Sequence, residues 1–387
     1  MTPPRRSGVA RRLLPALGLA LAVATTACAP PTNPALSDSP IEVVGVSTYG
    51  TGTATFADMA AVADAITTEE GTKFRIITSD TAIGRVLPLK EDQVQFSRTG
   101  DEYIFAFRGE HDFSDPEWGP QPTRVVWAPT APHSWLVKAS SDIVEPADLV
   151  GKKVPRVTAN PSVNQKTEAM LATAGLTWSD VHPVEIGYGE QAEALKAGKL
   201  DILFQQVHGA SLFELEASTP VRWLRFDPAD PATQRAIEEH APSVRLDEFT
   251  AAPGQEEGET AVGFWYAVPV VTYAETTEVV ARQMARAIVD SYDRYGASTQ
   301  TTKTWSIDAS AVVPVEVPFH PGLVAVLKEE GVWTPAAQRR QDQLLAQEKQ
   351  LRAGWTQVTE ELSDDGEIDD AELDEAWAAW KAENIDD

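Results

Sequence analysis

Short apolar runs alternate with amphipathic stretches along most of the chain, and clusters of Gly, Pro, Ser and Thr separate them. The first, VVGVSTYGTGTATF at Val43–Phe56, reads as a strand, a Gly/Thr turn and the start of a helix through Met59, Val62 and Ile66. Lys73–Thr78 is a second strand, which the strand–helix–strand order places parallel to the first. Ala82–Leu89 reads as a short helix, Val94–Phe96 and Tyr103–Phe107 as strands, and Phe113–Pro122 as a loop. Arg124–Ala128 and His133–Lys138 alternate as strands do, and 139–150 turns into a short helix.

A second strand at Lys152–Val157 enters the polar turn Thr158–Asn164 and a helix over Gln165–Ala174. Val184–Gly187, Gly189–Ala197 and Leu200–Gln205 follow as strand, helix and strand, and Val221–Phe226 and Val262–Val271 supply further strands. Thr276–Tyr292 is a long amphipathic helix. Gln338–Trp355 is a polar helix whose few apolar positions suit packing across a lobe. Two strand–turn–helix units in successive halves predict an α/β protein of two lobes around one cleft. Turns at strand ends present backbone N–H groups and hydroxyls to an anion or a polar small molecule, although Ser, Thr and Asn there are equally ordinary helix caps.

Composition narrows the function classes. Apolar content of 43% and charged content of 23% over 387 residues are ordinary for a globular protein, while a formal charge of −26 argues against nucleic acid or an anionic membrane surface as partner. Arg5, Arg6, Arg11 and Arg12 precede the apolar run Leu13–Ala24 and the small residues Thr25–Cys28, which is the layout of an export signal. Cys28, the only cysteine, follows Thr-Thr-Ala as in a bacterial lipobox, so residues 1–27 are expected to be cleaved and Cys28 lipidated. Ordinary cleavage near the same site is the alternative. Pro30–Pro40 has the composition of a tether.

Gly50-x-Gly52 before a helix, with Asp80 after the next strand, approaches a dinucleotide fingerprint, but Thr55 stands at the third glycine position and export separates the chain from nicotinamide cofactors. No Gly-x-Ser-x-Gly occurs, and the six histidines show no metal-ligand spacing. Binding is therefore favoured over catalysis, with no cofactor required. In the acidic C-terminus, Glu361–Glu372 approximates a calcium loop, with Ser363, Asp365, Glu367, Asp369 and Glu372 as ligands for weak calcium binding. The competing account is a solvated acidic linker with a helix cap at Asp369 or Asp370.

Several segments in order resemble the TAXI-type solute-binding proteins of tripartite ATP-independent periplasmic (TRAP) transporters. They are GVSTYGTGTATF, HSWLVKASSDIVEPADLVGKKV at 133–154, LATAGLTWSDV at 171–181, ALKAGKLDILF at 194–204 and VEVPFHPGLVAVLKEEGVW at 315–333. The resemblance implies a two-lobed periplasmic-binding-protein-like fold that captures a small polar, carboxylate-bearing solute. It also implies delivery to ion-gradient-driven permease subunits from an extracytoplasmic, membrane-anchored position. The alternatives are a ligand sensor docking to a signalling partner and an exported α/β enzyme.

Within that frame Thr51, Thr53, Thr55, Thr78, Ser79, Thr158, Asn160, Ser162, Asn164 and Gln205 are candidate hydrogen-bonding contacts. Tyr49 and Phe56 are candidate walls, and Arg98, beside Thr99, is the candidate carboxylate partner because a guanidinium grips both oxygens. The expected organisation is signal 1–27, tether 28–40, a first lobe from 41–135 plus 245–333, a second lobe from 136–244, a C-terminal helix 334–358 and an acidic tail 359–387.

Overall fold

The computed structural model describes residues 1–2, 33–363 and 368–385; the signal, Cys28 and the tether before Asn33 lie outside the described residues. Residues 1–32 and 33–387 separate as two units, and every helix and strand of the described residues lies in the second. No described helix is long and apolar enough to cross a membrane.

The first lobe begins with β1 (Val43–Thr48), whose Val44 and Val46 are buried in the same core as Met59, Val62 and Ile66 of α1 (Ala54–Glu70). Thr53 caps that helix by accepting the Phe56 N–H at 3.1 Å. The turn before it needs Gly52, whose φ of +94° would strain a residue with a β-carbon. Then follow β2 (Lys73–Thr78), α2 (Ala82–Lys90), β3 (Phe96–Arg98), α3 (Glu102–Arg108) and β4 (Thr123–Trp127).

The chain crosses through Ala128-Pro129 into β5 (Thr130–Lys138), β6 (Lys153–Val157), α4 (Pro161–Ala172), β7 (His182–Ile186), α5 (Gln191–Lys196) and β8 (Ile202–Gln206). It continues with α6 (Ala210–Glu216), β9 (Val221–Trp223), α7 (Pro231–His240), β10 (Arg245–Phe249) and β11 (Ala261–Ala267). Val268-Pro269 then leads back into β12 (Val270–Tyr273), α8 (Glu278–Asp290), α9 (Tyr292–Tyr295), α10 (Pro321–Glu329), α11 (Pro335–Ser363) and α12 (Asp370–Asn384).

The first sheet has the order β2-β1-β3-β12-β4, with β1 parallel to β2 and β3 and β12 antiparallel to its neighbours. The second is antiparallel in the order β10-β11-β5-β8, with β9 also on β5, and β6 and β7 form a separate parallel pair. One core lies around Phe96, Trp127, Met284 and Trp305, the other around Trp135, Phe204 and Phe264. The two crossings run side by side, because the Val268 N–H donates to the Pro129 carbonyl at 2.9 Å. A proline in each crossing fixes φ locally and leaves neighbouring strand-end residues to absorb any rotation between lobes.

Five expectations change. Tyr103–Phe107 lies in α3, because EYIFAFR is buried on nearly every side and so carries neither period. The strand expected at Val94–Phe96 lies at Phe96–Arg98, and α4 starts at Pro161, four residues before Gln165, with Asn160 as its cap. The sheets exchange at 128–130 and 267–270, so β10 and β11 hydrogen-bond into the second sheet instead of joining the first lobe with 270–333. The acidic C-terminus is not a solvated tail throughout: α11 runs to Ser363, and α12 buries Leu373 and Trp377 against the first lobe.

Candidate functional site

The lobes meet along a seam built from helix N-termini and strand ends. From the first lobe come the turn at Gly52–Thr55, the start of α2 and the start of α3; from the second come the start of α4, Tyr188–Gly189 and the end of β8. Backbone bonds cross directly, Ala82 N–H to the Ala159 carbonyl at 2.8 Å and Ser211 N–H to the Gly52 carbonyl at 3.2 Å. Asn160 caps α4 and donates across the seam to the Asp80 carbonyl at 3.2 Å, while Gly189 N–H donates to Asp80 Oδ2 at 3.0 Å. Surface grooves around Arg222 and Phe226 and around Glu70 and Arg282 lie elsewhere.

The centre of the seam is charged and buried. Arg85 pairs with Glu102 at 2.5 Å, and neither side chain is exposed at all. Lys166 reaches across from α4 to Asp101 at 2.5 Å and also donates to Ser162 Oγ at 3.1 Å. Ser162 Oγ accepts the Asp101 N–H at 3.1 Å, and Ser243 donates to Asp101 Oδ2 at 2.9 Å. The aromatic walls are Tyr49, with Arg85 3.7 Å over its ring, and Tyr266, with Lys166 at 4.0 Å; Tyr188 packs 5.3 Å from Tyr49.

Burial drives the titration of this cluster. It raises the Tyr49 phenol well above its ordinary value despite Arg85, so the hydroxyl stays protonated and donates to Glu102 Oε1 at 3.4 Å. Burial opposes the Arg85 charge, but Glu102 and Tyr49 outweigh it and raise its pKa. Burial likewise pushes His133, stacked 4.3 Å from Tyr266, down to about 3, which keeps it neutral as its Nδ1 bonds the Ala131 carbonyl.

Of the sequence candidates, Tyr49, Thr55, Asn160, Ser162 and Gln205 lie at the seam. Thr55 donates across it to Gln206 Oε1 at 2.7 Å, and Gln205 bonds within its own lobe to the Tyr188 carbonyl at 3.0 Å. Thr53 is the α1 cap, Ser79 accepts the Thr81 N–H, and Asn164 bonds both the N–H and the carbonyl of Val157, fixing α4 to β6. Thr51, Thr78 and Thr158 are exposed, Phe56 is half-buried, and Thr99 is buried and donates to the Gly100 carbonyl.

Arg98 is the main revision. It pairs with Asp58 at 3.2 Å, donates to the Thr55 and Val268 carbonyls, and lies 4.7 Å from the Trp305 ring. That guanidinium is committed to holding α1, the crossing strand and residue 305 together, so it is not a free carboxylate clamp. Burial lowers its pKa, with Asp58 opposing.

The residues missed in the sequence are Asp58, Arg85, Asp101, Glu102, Lys166, Tyr188, Gln206 and Tyr266. The available signal was a charge inside an apolar helix, Arg85 within AIGRVLPLK and Lys166 beside Thr167 and Met170. In the proposed calcium loop Asp365 and Glu367 lie outside the described residues, Ser363 donates to the Glu360 carbonyl, and Asp369 caps α12.

Two α/β lobes joined by paired crossings and closed on a buried polar seam define a two-lobed α/β protein. Residues 46–331 match the NMT1-like family, and the chain belongs to that family. No curated protein matches it in sequence. Among solved structures it is similar to the alkanesulfonate-binding protein SsuA from Xanthomonas axonopodis pv. citri bound to MOPS, at 13% identity over 77% of this chain and 96% of that one with a TM-score of 0.43. The periplasmic aliphatic sulphonate binding protein SsuA from Escherichia coli gives 13% identity, 82% and 87% coverage and 0.42. A putative L-cystine ABC transporter protein from Listeria monocytogenes gives 13% identity, 70% and 99% coverage and 0.41.

Proposed function

We propose that the chain is an extracytoplasmic solute-binding protein, anchored through a lipid on Cys28, that closes its lobes around a small polar solute and hands it to a membrane transporter. The observation that carries this reading is the seam: two lobes on paired crossings bury charged and aromatic side chains against each other. Such a surface is costly to bury for stability alone, because desolvation offsets much of the attraction within each ion pair. Its retention is explained by a ligand that binds there when the lobes open.

The resemblance to TAXI-type proteins favours TRAP permease subunits as recipient. A carboxylate on the solute, expected from Arg98 in the sequence, would instead meet Arg85, whose buried Nε has no partner among the described residues. Calcium at the C-terminus is a separate, accessory proposal, tested by calorimetry of a calcium titration.

A thermal-shift screen of small carboxylates, amino acids, amines and sugars tests the central reading, since a ligand that binds only the folded state stabilises it by mass action. A tight solute at 100 times its Kd adds about 2.7 kcal/mol. A panel with no stabilising member would overturn the binding role.

A further inference from the structure

Three carboxylates at the seam share one pattern. Glu102 gives Oε1 to Arg85, Asp101 gives Oδ2 to Lys166 and Ser243, and Asp80 gives Oδ2 to the Gly189 N–H. In each, the second oxygen, Glu102 Oε2, Asp101 Oδ1 or Asp80 Oδ1, is buried without a hydrogen-bond partner among the described residues. Glu102 is fully buried and Asp101 is 2% exposed. A buried carboxylate oxygen without a donor is costly, so three of them at one seam require an external supply of N–H or O–H groups.

The geometry around Gly100 shows where such groups would arrive. A β-carbon there would stand 2.8 Å from the Tyr49 hydroxyl, 2.9 Å from Ser162 Oγ and 3.1 Å from Glu102 Oε2, so polar atoms of both lobes converge on a residue that presents only backbone. The charge balance has the same sense. Arg98 and Asp58 cancel as an internal pair, leaving Asp80, Asp101 and Glu102 against Arg85 and Lys166, an excess of one negative charge. Among the described residues three carboxylate oxygens of this cluster have no hydrogen-bond partner, against one nitrogen, Arg85 Nε. An anionic solute would add charge of the wrong sign and bring further acceptors to a place already short of donors.

We propose that the solute carries a cationic N–H group, an ammonium or guanidinium, that binds the free oxygens of Asp101 and Glu102 across the seam between Tyr49, Tyr188 and Tyr266. The rings already draw positive charge, Arg85 standing 3.7 Å from the Tyr49 centroid and Lys166 4.0 Å from that of Tyr266, because a ring quadrupole attracts a cation. A carboxylate elsewhere on the same molecule is compatible, with Arg85 Nε as its donor. This inference rests on the solute-binding reading and adds the sign of the recognised charge.

The test is a thermal-shift and calorimetric comparison on the full chain. L-Arginine, L-lysine, agmatine and putrescine form one arm; succinate, glutarate and glucose form the other. At least one amine should raise the melting temperature while the amine-free compounds leave it unchanged. E102Q and D101N, read independently, should each weaken that amine tenfold or more, and D142N, in an exposed pair with Lys152, should leave it unaltered. Stabilisation by an amine-free compound equal to or above that of any amine overturns the cationic inference and leaves the binding role standing. Amine binding that survives both E102Q and D101N overturns the assignment of those oxygens. No response in either arm overturns this inference together with the binding role.

Discussion

Two seams meet on the first lobe, and they are built oppositely. The seam between lobes is rich in buried ions, and three of its carboxylate oxygens have no partner among the described residues. The seam beneath the C-terminal helices is aromatic: Trp377 stacks on Trp380 at 5.1 Å, meets Trp355 edge-on at 5.2 Å and donates to the Arg108 carbonyl at 3.1 Å. Gly354 in α11 makes room for it, since a β-carbon there would lie 2.1 Å from the Trp380 ring. The charges at this second seam sit in pairs, Arg124 with Glu348 at 2.6 Å and Lys381 with Glu110 at 2.5 Å. Apolar area with satisfied polar atoms suits a contact that stays shut, whereas ions with oxygens to spare suit one that exchanges partners.

The largest expected effect belongs to the aromatic seam. Trp377→Ala removes a buried ring and should destabilise the first lobe by about 3–5 kcal/mol in urea denaturation. Solute affinity should stay unchanged. A variant that kept its stability but lost affinity would break the contrast between the two seams.

A separate effect is set by pH and comes from two buried histidines, His320 in the first lobe and His133 at the lobe seam. His320 caps α10, accepting the Gly322 N–H on Nδ1 and donating from Nε2 to the Thr276 carbonyl, and burial pulls its pKa down to about 4. His133 at the lobe seam is pulled down to about 3. Both folded values lie below the unfolded one near 6.5, so the unfolded chain binds protons first as pH falls. The stabilisation is complete above about pH 6.5 and is lost toward the folded values, at up to about 1.4 kcal/mol per pH unit for each histidine. Denaturation midpoints from pH 7 to 4 check the sign, and His320→Gln should flatten the slope. A midpoint independent of pH over that range would remove both histidines from the account.

The legible parts of this molecule are those in which neighbours in sequence are neighbours in space. β1, α1 and β2 were readable because each shows its own period between turn residues, and the register Val46↔Ile76 follows from that order. The site was only half readable. Thr55, Asn160 and Ser162 stand at strand or helix ends, where a sequence shows them, but Lys166 and Asp101 lie 65 residues apart and meet only in the fold. In a chain with 58 acids, no pair of carboxylates stands out. Arg98 misled because a lone arginine after a strand signals a charge without naming its partner, and Asp58 on α1 claims it. In the C-terminus the acidic composition hid an i, i+4 pair, Leu373 and Trp377, that marks a buried helical face.

The smallest predicted effect probes the lobe seam alone. Thr55 Oγ1 donates to Gln206 Oε1 at 2.7 Å, and Gln206 Nε2 in turn donates to Asp58 Oδ2 at 3.4 Å and Thr301 Oγ1 at 3.3 Å, so one amide links α1, β8 and residue 301. Thr55→Val keeps the side chain's shape, removes the donor and leaves the Gln206 carbonyl oxygen unsatisfied, at a cost of about 1 kcal/mol. That cost falls on the closed arrangement, because separated lobes return the oxygen to water. Small-angle scattering should therefore show a larger radius of gyration for the variant without solute, and saturating solute should restore it. The urea midpoint of the first lobe should hold. If it fell as far as in Trp377→Ala with an unchanged radius, Thr55 would belong to the permanent core, and the lobe seam would lose its claim to open.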